Sequence, residues 1–328
     1  MRWKIVTIAV LFCAISYCPS ASLAADKLRL GYTSVSALHG NTWVAEGKKI
    51  FDKHGIEVEN IYMQGDPMTV SALIAGDVDF VKVGGGAVVN SVLKGADVIM
   101  VASVINSGVQ RLIVRPELAN PGDLRGKKIG ITRFGSSSDI VLQFLLRQWG
   151  MKSNDVHVFQ VGSSPAMLAA LGKGAIDGAV LTIPSFFVAE EMGYRVLADA
   201  AEMNIYYLHN VVATTRKFLQ ARRDVALRFM KAYIEGNAYF KKNRQESLDV
   251  LKKKLRAQGG QKYLDKSYDV FSKYFDRIPY VSQEGVKTLL EFQGGGKKVK
   301  DADLGIFVDN SLVKEIETSG FINDLYSR

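Results

Sequence analysis

A row of small polar residues stands before one candidate helix, in the stretch FGSSSDIVLQF (134–144). The preceding stretch KKIGIT (127–132) is short and apolar and predicts a strand, so a strand leads through a polar loop into a helix. The first N–H groups of a helix have no intrahelical partner, and the helix dipole favours negative charge there. We therefore predict that this loop contacts an anionic or carbonyl oxygen of a ligand. The predicted contact residues are Gly135, Ser136, Ser137 and Ser138.

The same loop has a structural interpretation. One serine, or Asp139, is enough to cap the helix by accepting a hydrogen bond from its first N–H groups. A single cap does not require three successive hydroxyls, which favours ligand contact. Asp139 argues the other way, because a carboxylate at this position would compete with an anionic ligand for the same N–H groups.

Similar residues follow the other predicted strands. Pro67 and Pro165 each come after a polar loop and suit the first turn of a helix, where proline loses no needed N–H. Three successive glycines (84–86) expose bare backbone but lack the Lys-Ser/Thr of a phosphate-binding loop. Helix capping, tight turns and core packing are the structural alternatives throughout. The further predicted contacts are Ser34, His39, Trp43, Gln64, Gly65, Asp66, Gly84, Gly85, Gly86, Ser163, Ser164, Thr182, Pro184 and Tyr206.

The sequence contains few candidate charge partners for a ligand and no recognisable catalytic motif. Arg111 and Arg133 are candidate partners for an acidic ligand, with a solvated surface as the alternative. The four histidines show no H-E-x-x-H spacing, and FGSSSD is not the G-x-S-x-G of a nucleophile elbow. Both cysteines, Cys13 and Cys18, lie close to the N-terminus. The sequence therefore predicts no catalytic residue, no metal site and no cofactor.

The N-terminal segment has the pattern of a secretory signal. Two basic residues precede an apolar stretch (5–17), and Ser22 and Ala24 have the small side chains of a cleavage site. The apolar stretch is shorter than the roughly 20 residues that a membrane-spanning helix needs. We predict that residues 1–24 are removed and that the protein is exported in soluble form.

The charge of the chain is positive. It has 42 Lys and Arg against 33 Asp and Glu, a net charge of +9. Much of the excess lies in KKNRQ (241–245) and LKKKLR (251–256), which are typical of solvated helix faces. We expect no nucleic-acid partner, although the positive charge favours encounter with acidic solutes.

An internal repeat organises the first two thirds of the chain. SALIAGDVDFV (71–81) is echoed by AALGKGAIDGAV (169–180), and LRLGYTS (28–34) by KKIGITR (127–133). Each half alternates strands and helices, which predicts parallel α/β units. Ligands of such sheets bind beyond the carboxyl ends of the strands, so two facing half-sites would form a cleft.

The remaining chain lacks this repeat. The stretch 224–243 has apolar residues on one face at helical spacing, and further helices are predicted around 248–255, 263–274, 284–291 and 310–319. We expect this part to pack as helices around an existing lobe.

These motifs resemble those of ABC-transporter substrate-binding proteins, in the group that includes sulfonate-, taurine- and nitrate-binding proteins and thiamine-pyrimidine-precursor binders. The resemblance rests on LRLGYTS, on ALIAGDVDF, on DLRGKKIGITRFGSSSD (123–139) and on MLAALGKGAIDGAVLT (167–182). It implies a type II periplasmic-binding-protein fold of two α/β lobes, each a mostly parallel sheet flanked by helices, joined by two crossing strands near 104–107 and 205–210. The implied organisation is a signal peptide (1–24), a first part of lobe 1 (25–106), lobe 2 (107–206), and a return to lobe 1 with C-terminal helices (207–328).

The resemblance also implies a function. A monomeric periplasmic protein would capture a small polar or acidic organic molecule between its lobes and deliver it to an ABC-type import permease in the inner membrane. The alternatives are an enzyme on the same fold, similar to a thiamine-pyrimidine synthase or a dehydratase, and a ligand-loaded sensor that docks on a receptor. The synthase is associated with a cysteine-rich motif, which the chain after residue 24 lacks. A sulfonate, a carboxylate and a heterocycle remain open as ligands.

Overall fold

The computed structural model describes residues 25–203, 206–255, 260–293 and 304–327. The predicted signal, residues 1–24, lies outside these ranges. The described chain forms two five-stranded sheets flanked by helices, which confirms the predicted two-lobed α/β fold. We refer to the first sheet with its helices as lobe 1 and to the second as lobe 2.

The sheet of lobe 1 has the strand order β2-β1-β3-β10-β4. Its strands are β1 (Asp26–Tyr32), β2 (Ile56–Tyr62), β3 (Phe80–Val83), β4 (Ile99–Ser107) and β10 (Tyr206–Thr214). The strands β1, β2 and β3 are parallel, whereas β10 runs antiparallel to both β3 and β4.

The sheet of lobe 2 has the order β7-β6-β8-β5-β9. Its strands are β5 (Arg111–Val114), β6 (Lys128–Ile131), β7 (His157–Gln160), β8 (Gly178–Leu181) and β9 (Arg195–Asp199). Here β6 is parallel to β7 and β8, and β5 is antiparallel to β8 and β9. The two sheets therefore share one topology, with β1, β2, β3, β10 and β4 equivalent to β6, β7, β8, β5 and β9. The antiparallel fourth strand of each sheet is the strand that follows a passage of the chain between lobes.

Helices cover both sheets. In lobe 1 they are α1 (Gly40–Gly47), α2 (Ile50–Lys53), α3 (Asp66–Ala75) and α4 (Gly85–Leu93), and in lobe 2 they are α5 (Ser137–Gln148), α6 (Ser164–Gly172) and α7 (Ser185–Glu191). Because helices lie on both faces, the central strands β3 and β8 are buried at every position.

The C-terminal part is helical, as predicted. Its helices are α8 (Arg216–Ala221), α9 (Arg223–Lys242), α10 (Arg244–Leu255), α11 (Gln261–Tyr274), α12 (Gln283–Gln293), α13 (Ser311–Thr318) and α14 (Phe321–Ser327). The long helix α9 packs against α1 and α2, and α12 packs against α4 and β10. Within the described ranges, no helix combines the length and the apolarity that crossing a membrane requires.

Candidate ligand-binding site

A cleft lies between the carboxyl ends of the parallel strands of the two sheets. Its volume is about 890 Å³, including the part open to solvent. The predicted site residues that line it are Ser34, Gly65, Asp66, Ser136, Ser137, Ser138, Ser163, Ser164 and Thr182. The strand-end loops of the two halves are thus brought together around one space, while a ligand role for each side chain stays a prediction.

Two of the three serines at the start of α5 brace the loop that precedes this helix. The Oγ of Ser138 accepts a hydrogen bond from the backbone N–H of Thr132 at 2.8 Å. The Oγ of Ser136 donates to the carbonyl of Arg133 at 2.7 Å and lies 3.0 Å from the Oγ of Ser138. Ser136 is the N-cap residue of α5, but its side chain makes no capping hydrogen bond. These hydroxyls therefore shape the loop and do not act as a simple helix cap.

The third serine contacts the opposite lobe. The backbone N–H and the Oγ of Ser137 both donate to one carboxylate oxygen of Asp66, at 2.7 and 2.8 Å. The other oxygen of Asp66 accepts from the N–H of Gly84 at 3.1 Å. The sequence had suggested Asp139 as the carboxylate that competes for the first N–H groups of α5. Asp139 instead accepts from the N–H of Gly135 at 2.7 Å, and the competing carboxylate is Asp66.

The loop before α6 is held by its own serines. The Oγ of Ser163 accepts from the N–H of Ala166 at 3.3 Å and caps the helix. The Oγ of Ser164 accepts from the N–H of Thr182 at 3.1 Å, which ties this loop to the end of β8. For Ser163 the capping interpretation is confirmed, and both residues also line the cleft.

The other predicted residues lie outside the cleft lining. His39 and Trp43 are fully buried behind the wall, where both rings pack against the ring of Tyr32. The side chain of Tyr206 lies outside the part of the chain that the structure describes, and its neighbour Tyr207 is buried against Phe144. The remaining predicted residues that do not line the cleft are Gln64, Gly84, Gly85, Gly86, Gly135 and Pro184.

The three successive glycines allow close packing. A Cβ at Gly84 would lie 2.1 Å from the Oγ of Ser137, and one at Gly86 would lie 2.1 Å from the Cδ1 of Ile140. Both neighbours belong to α5 of lobe 2. A side chain at either position would require the side chain of Ser137 or Ile140 to move, so these glycines permit the present close contact between lobes.

Neither candidate arginine lines the cleft. The guanidinium of Arg111 donates to Glu190 at 2.5 Å and to Asp199 at 2.7 Å. The Nε of Arg133 donates to the backbone carbonyl of Gln64 across the rim at 2.9 Å. Among the described lining residues none is Lys or Arg, and Asp66 is the one carboxylate. The described residues also contain no group of three or more His, Cys, Asp and Glu arranged to hold a metal ion.

Sequence reasoning missed two buried polar residues of the cleft wall. Gln110 lies between β4 and β5, and His209 lies on β10, so both belong to the segments that pass between lobes. Among the described residues, the Oε1 of Gln110 and the Nδ1 of His209 have no hydrogen-bond partner, and the same holds for the Oγ1 of Thr182. These three residues are only 7%, 2% and 9% exposed. Burial lowers the pKa of His209 to about 4, so its imidazole is neutral at pH 7.

Further lining residues lacked a sequence signal of their own. Polar loops after predicted strands pointed to serines and glycines as candidate contacts. The threonines and the apolar and aromatic residues beside them resembled ordinary strand and core residues. Most of them lie at or just after the ends of β1, β2 and β6, and Leu38 lies further along the loop after β1, so the strand boundaries would have identified them. These residues are Thr33, Val35, Leu38, Tyr62 and Thr132.

The chain is similar in sequence to several known proteins. A putative binding protein of Brucella abortus (strain 2308) is 28% identical over 254 residues, which cover 76% of this chain and 78% of the relative. The taurine-binding periplasmic protein of Escherichia coli (strain K12) is 28% identical over 198 residues, covering 59% of this chain and 61% of the relative.

A structural superposition and a match to a family agree with these sequence similarities. The periplasmic aliphatic sulphonate binding protein SsuA from Escherichia coli superposes with a TM-score of 0.67 at 20% identity, covering 88% of this chain and 99% of that chain, and it therefore shares the fold. Residues 36–247 match the family described as NMT1/THI5 like. Since this match includes most of the chain, the protein belongs to the NMT1/THI5-like family.

Proposed function

We propose that this protein is an exported solute-binding protein of the periplasm, which captures a small polar organic molecule between its lobes and delivers it to an ABC-type import permease. The names of two relatives, a putative binding protein and a taurine-binding periplasmic protein, support binding as the activity. The name of the second relative supports export to the periplasm, together with the predicted signal in residues 1–24.

The observation that carries the proposal is a set of lining residues whose side chains contain buried polar atoms without a hydrogen-bond partner among the described residues. A buried polar group without a hydrogen bond costs about 1–3 kcal/mol. Gln110, Thr182 and His209 each present such an atom within one lining. A ligand that supplies the missing partners recovers this cost on binding, which explains why the cleft retains polar side chains at these positions.

The lining favours recognition by hydrogen bonds over ion pairing. Hydroxyl groups, a neutral imidazole and an amide dominate the described wall, and no Lys or Arg belongs to it. The sequence had suggested that Arg111 and Arg133 pair with an acidic ligand, but both guanidinium groups have protein partners away from the lining. We therefore narrow the expected ligand to a small polar molecule that is bound through hydrogen bonds.

A thermal-shift screen of the purified protein tests this function. The library contains sulfonates, carboxylates, amino acids and pyrimidine-like heterocycles. A ligand at 100 times its Kd should stabilise the fold by about 2.7 kcal/mol. A library without any stabilising compound would contradict the proposal, and chemical conversion of a bound compound would favour an enzyme on this fold.

Two threonines give a matched pair of variants for any compound found in the screen. Thr182→Val removes a buried hydroxyl that has no partner among the described residues, so affinity should fall while the fold keeps its stability or gains some. Thr214→Val removes a buried hydroxyl that donates to the carbonyl of Asp79 at 2.7 Å, away from the cleft. It should lower the unfolding free energy by about 1 kcal/mol and leave affinity unchanged. Calorimetry and thermal melts separate the two results.

The proposed export has its own test. Removal of the signal predicts a mature chain that begins at Ala25 or Asp26 and carries no lipid. Intact-mass measurement of the protein from the periplasmic fraction gives this directly. A retained Met1 or an acylated Cys18 would contradict it.

A further inference from the structure

The carboxylate of Asp66 binds the N-terminal end of a helix in the opposite lobe. Asp66 is the first residue of α3 and is only 4% exposed. One of its oxygens accepts from the backbone N–H and the Oγ of Ser137, the first residue of α5, at 2.7 and 2.8 Å. The other accepts from the N–H of Gly84 at 3.1 Å. All three donors are those that a bound carboxylate or sulfonate would use at a helix terminus.

This contact changes the electrostatics of the serine loop. The positive end of the α5 dipole faces Asp66, so an internal negative charge already compensates it. Ser137 can donate its N–H to a ligand anion only if the carboxylate of Asp66 moves away. Among the described lining residues, no Lys or Arg offers an anion a replacement partner.

A second observation concerns other residues of the same cleft lining. Among the described lining residues, those with a buried polar atom that lacks a hydrogen-bond partner are Gln110, Thr182 and His209, of which only Thr182 follows a parallel strand of the repeat. Their buried atoms belong to an amide, a hydroxyl and an imidazole. These groups suit a neutral hydrogen-bonding part of a ligand.

We infer that Asp66 determines ligand specificity by acting as an internal anion at the N-terminus of α5. It excludes ligands with net negative charge and leaves the cleft to neutral or zwitterionic molecules. This inference rests on the proposed function, because it concerns which solutes the same cleft selects. It also narrows the ligand class further, since simple sulfonates and carboxylates would be rejected.

Sulfate binding to variants of Asp66 tests the inference without knowledge of the natural ligand. Sulfate is titrated by calorimetry into the purified protein at constant ionic strength, with chloride as the compensating salt. Asp66→Ala frees the donors of Ser137 and should tighten sulfate binding by about tenfold or more, because a like charge has been removed from an uncompensated site. Asp66→Asn, which keeps an acceptor for Gly84 and preserves the fold better, should show the same direction. Unchanged sulfate affinity in both folded variants would overturn the inference.

Asp139→Asn is the matched control for this test. Asp139 is a buried carboxylate in the first turn of the same helix, but it does not line the cleft. Its replacement should change sulfate affinity far less than Asp66→Asn does. An equal gain would overturn the inference, since general loss of negative charge near α5 would then explain both results.

A pair of organic probes tests selectivity directly. Taurine and isethionate share a sulfonate and differ in an ammonium against a hydroxyl group. Asp66→Asn should raise the ratio of isethionate affinity to taurine affinity by about tenfold. The same ratio in Asp66→Asn and in the unsubstituted protein would overturn the inference. If neither probe binds either protein, and sulfate binds neither protein as well, the inference is also overturned. By contrast, the proposed function is contradicted only when the unsubstituted protein binds no compound of the wider screen.

Discussion

In both lobes a side chain at the start of a helix accepts a hydrogen bond from the residue after a neighbouring strand, but the side chain differs between the lobes. Asp66 begins α3 and Ser164 begins α6, and each precedes a proline at the same position of the repeat. Asp66 accepts from the N–H of Gly84 just after β3, and Ser164 accepts from the N–H of Thr182 just after β8, both at 3.1 Å. The serine has one oxygen and stays within its lobe. The carboxylate has a second oxygen, which reaches lobe 2 and binds Ser137.

A second contact between lobes runs in the reverse direction. The Oγ of Ser36, before α1, donates to the carbonyl of Ile183, after β8, at 2.6 Å. Here a serine of lobe 1 meets neutral backbone, whereas Ser137 of lobe 2 meets a charged side chain. The repeat therefore fixes where the lobes touch, and single residue changes decide the charge of each contact.

The central strands differ in the same way. Lys82 on β3 is fully buried, and its Nζ donates to the carbonyl of Leu38 at 3.0 Å and to the side chain of Asn41. The equivalent residue of β8 is Val180, which packs without polar contacts of its side chain. Burial holds the pKa of Lys82 well below its ordinary value. Since Leu38 lines the cleft, the buried amine of Lys82 supports the wall of lobe 1 at a position where lobe 2 has an apolar side chain.

The largest expected effect of the buried polar groups in lobe 1 is a loss of stability at acid pH. The pKa of His209 is lowered by burial to about 4, against about 6.5 in an unfolded chain, and burial also lowers the pKa of His39. Between these values the unfolded state binds more protons, so stability falls as the pH drops from 7 to 4. For His209 alone the loss is about 3 kcal/mol.

Urea unfolding at pH 7 and pH 4 measures this loss. His209→Gln should flatten the pH dependence because it removes the titrating group. His157→Gln is the control, since His157 is exposed on β7 of lobe 2. An equal flattening by the control would place the acid sensitivity outside lobe 1.

The next effect concerns the loop before α5. Ser138→Ala removes the acceptor of the Thr132 N–H and should lower the unfolding free energy by about 1–3 kcal/mol. Ser137→Ala removes only a hydroxyl, because its backbone N–H still reaches Asp66, and should cost about 0.5–1.5 kcal/mol. Denaturant unfolding of both variants compares them. A larger loss for Ser137→Ala would mean that the contact between lobes, and not the brace within the loop, carries the stability.

The repeat made much of the fold predictable. Equivalent glycines and aspartates in the two halves indicated paired α/β units, and the apolar face of 224–243 indicated the helix that became α9. Strand-end loops then pointed to the cleft, because parallel strands end at a common edge. These inferences needed only local periodicity and the geometry of parallel sheets.

The rest of the site depends on contacts between distant segments. Asp66 and Ser137 lie 71 residues apart and meet across two lobes, so neither residue type reveals the other. Gln110 and His209 lie on the connecting segments, where no repeat or polar loop marks a ligand contact. His39 and Trp43 have residue types suited to binding, yet the ring of Tyr32 packs against both behind the cleft wall. Three-dimensional packing decided these cases.

The smallest expected effect comes from making the two lobes alike. Ser164→Asp places a carboxylate at the start of α6, where Asp66 stands in α3. It keeps an acceptor for the N–H of Thr182 and adds negative charge at a helix N-terminus, so it should stabilise the fold by about 0.3–1 kcal/mol at low ionic strength. Ser164→Asn is the control, because it keeps an acceptor without the charge.

Salt dependence separates the two variants. The gain from Ser164→Asp should shrink at high ionic strength, since the interaction with the helix dipole is screened by salt. The Asn control should show no such change. A net loss of stability in Ser164→Asp that disappears in high salt would mean that repulsion from Asp66 across the cleft exceeds the gain at α6. Electrostatic repulsion would then allow only one carboxylate in the cleft. The difference between Asp66 in lobe 1 and Ser164 in lobe 2 would itself be required for the stability of the fold.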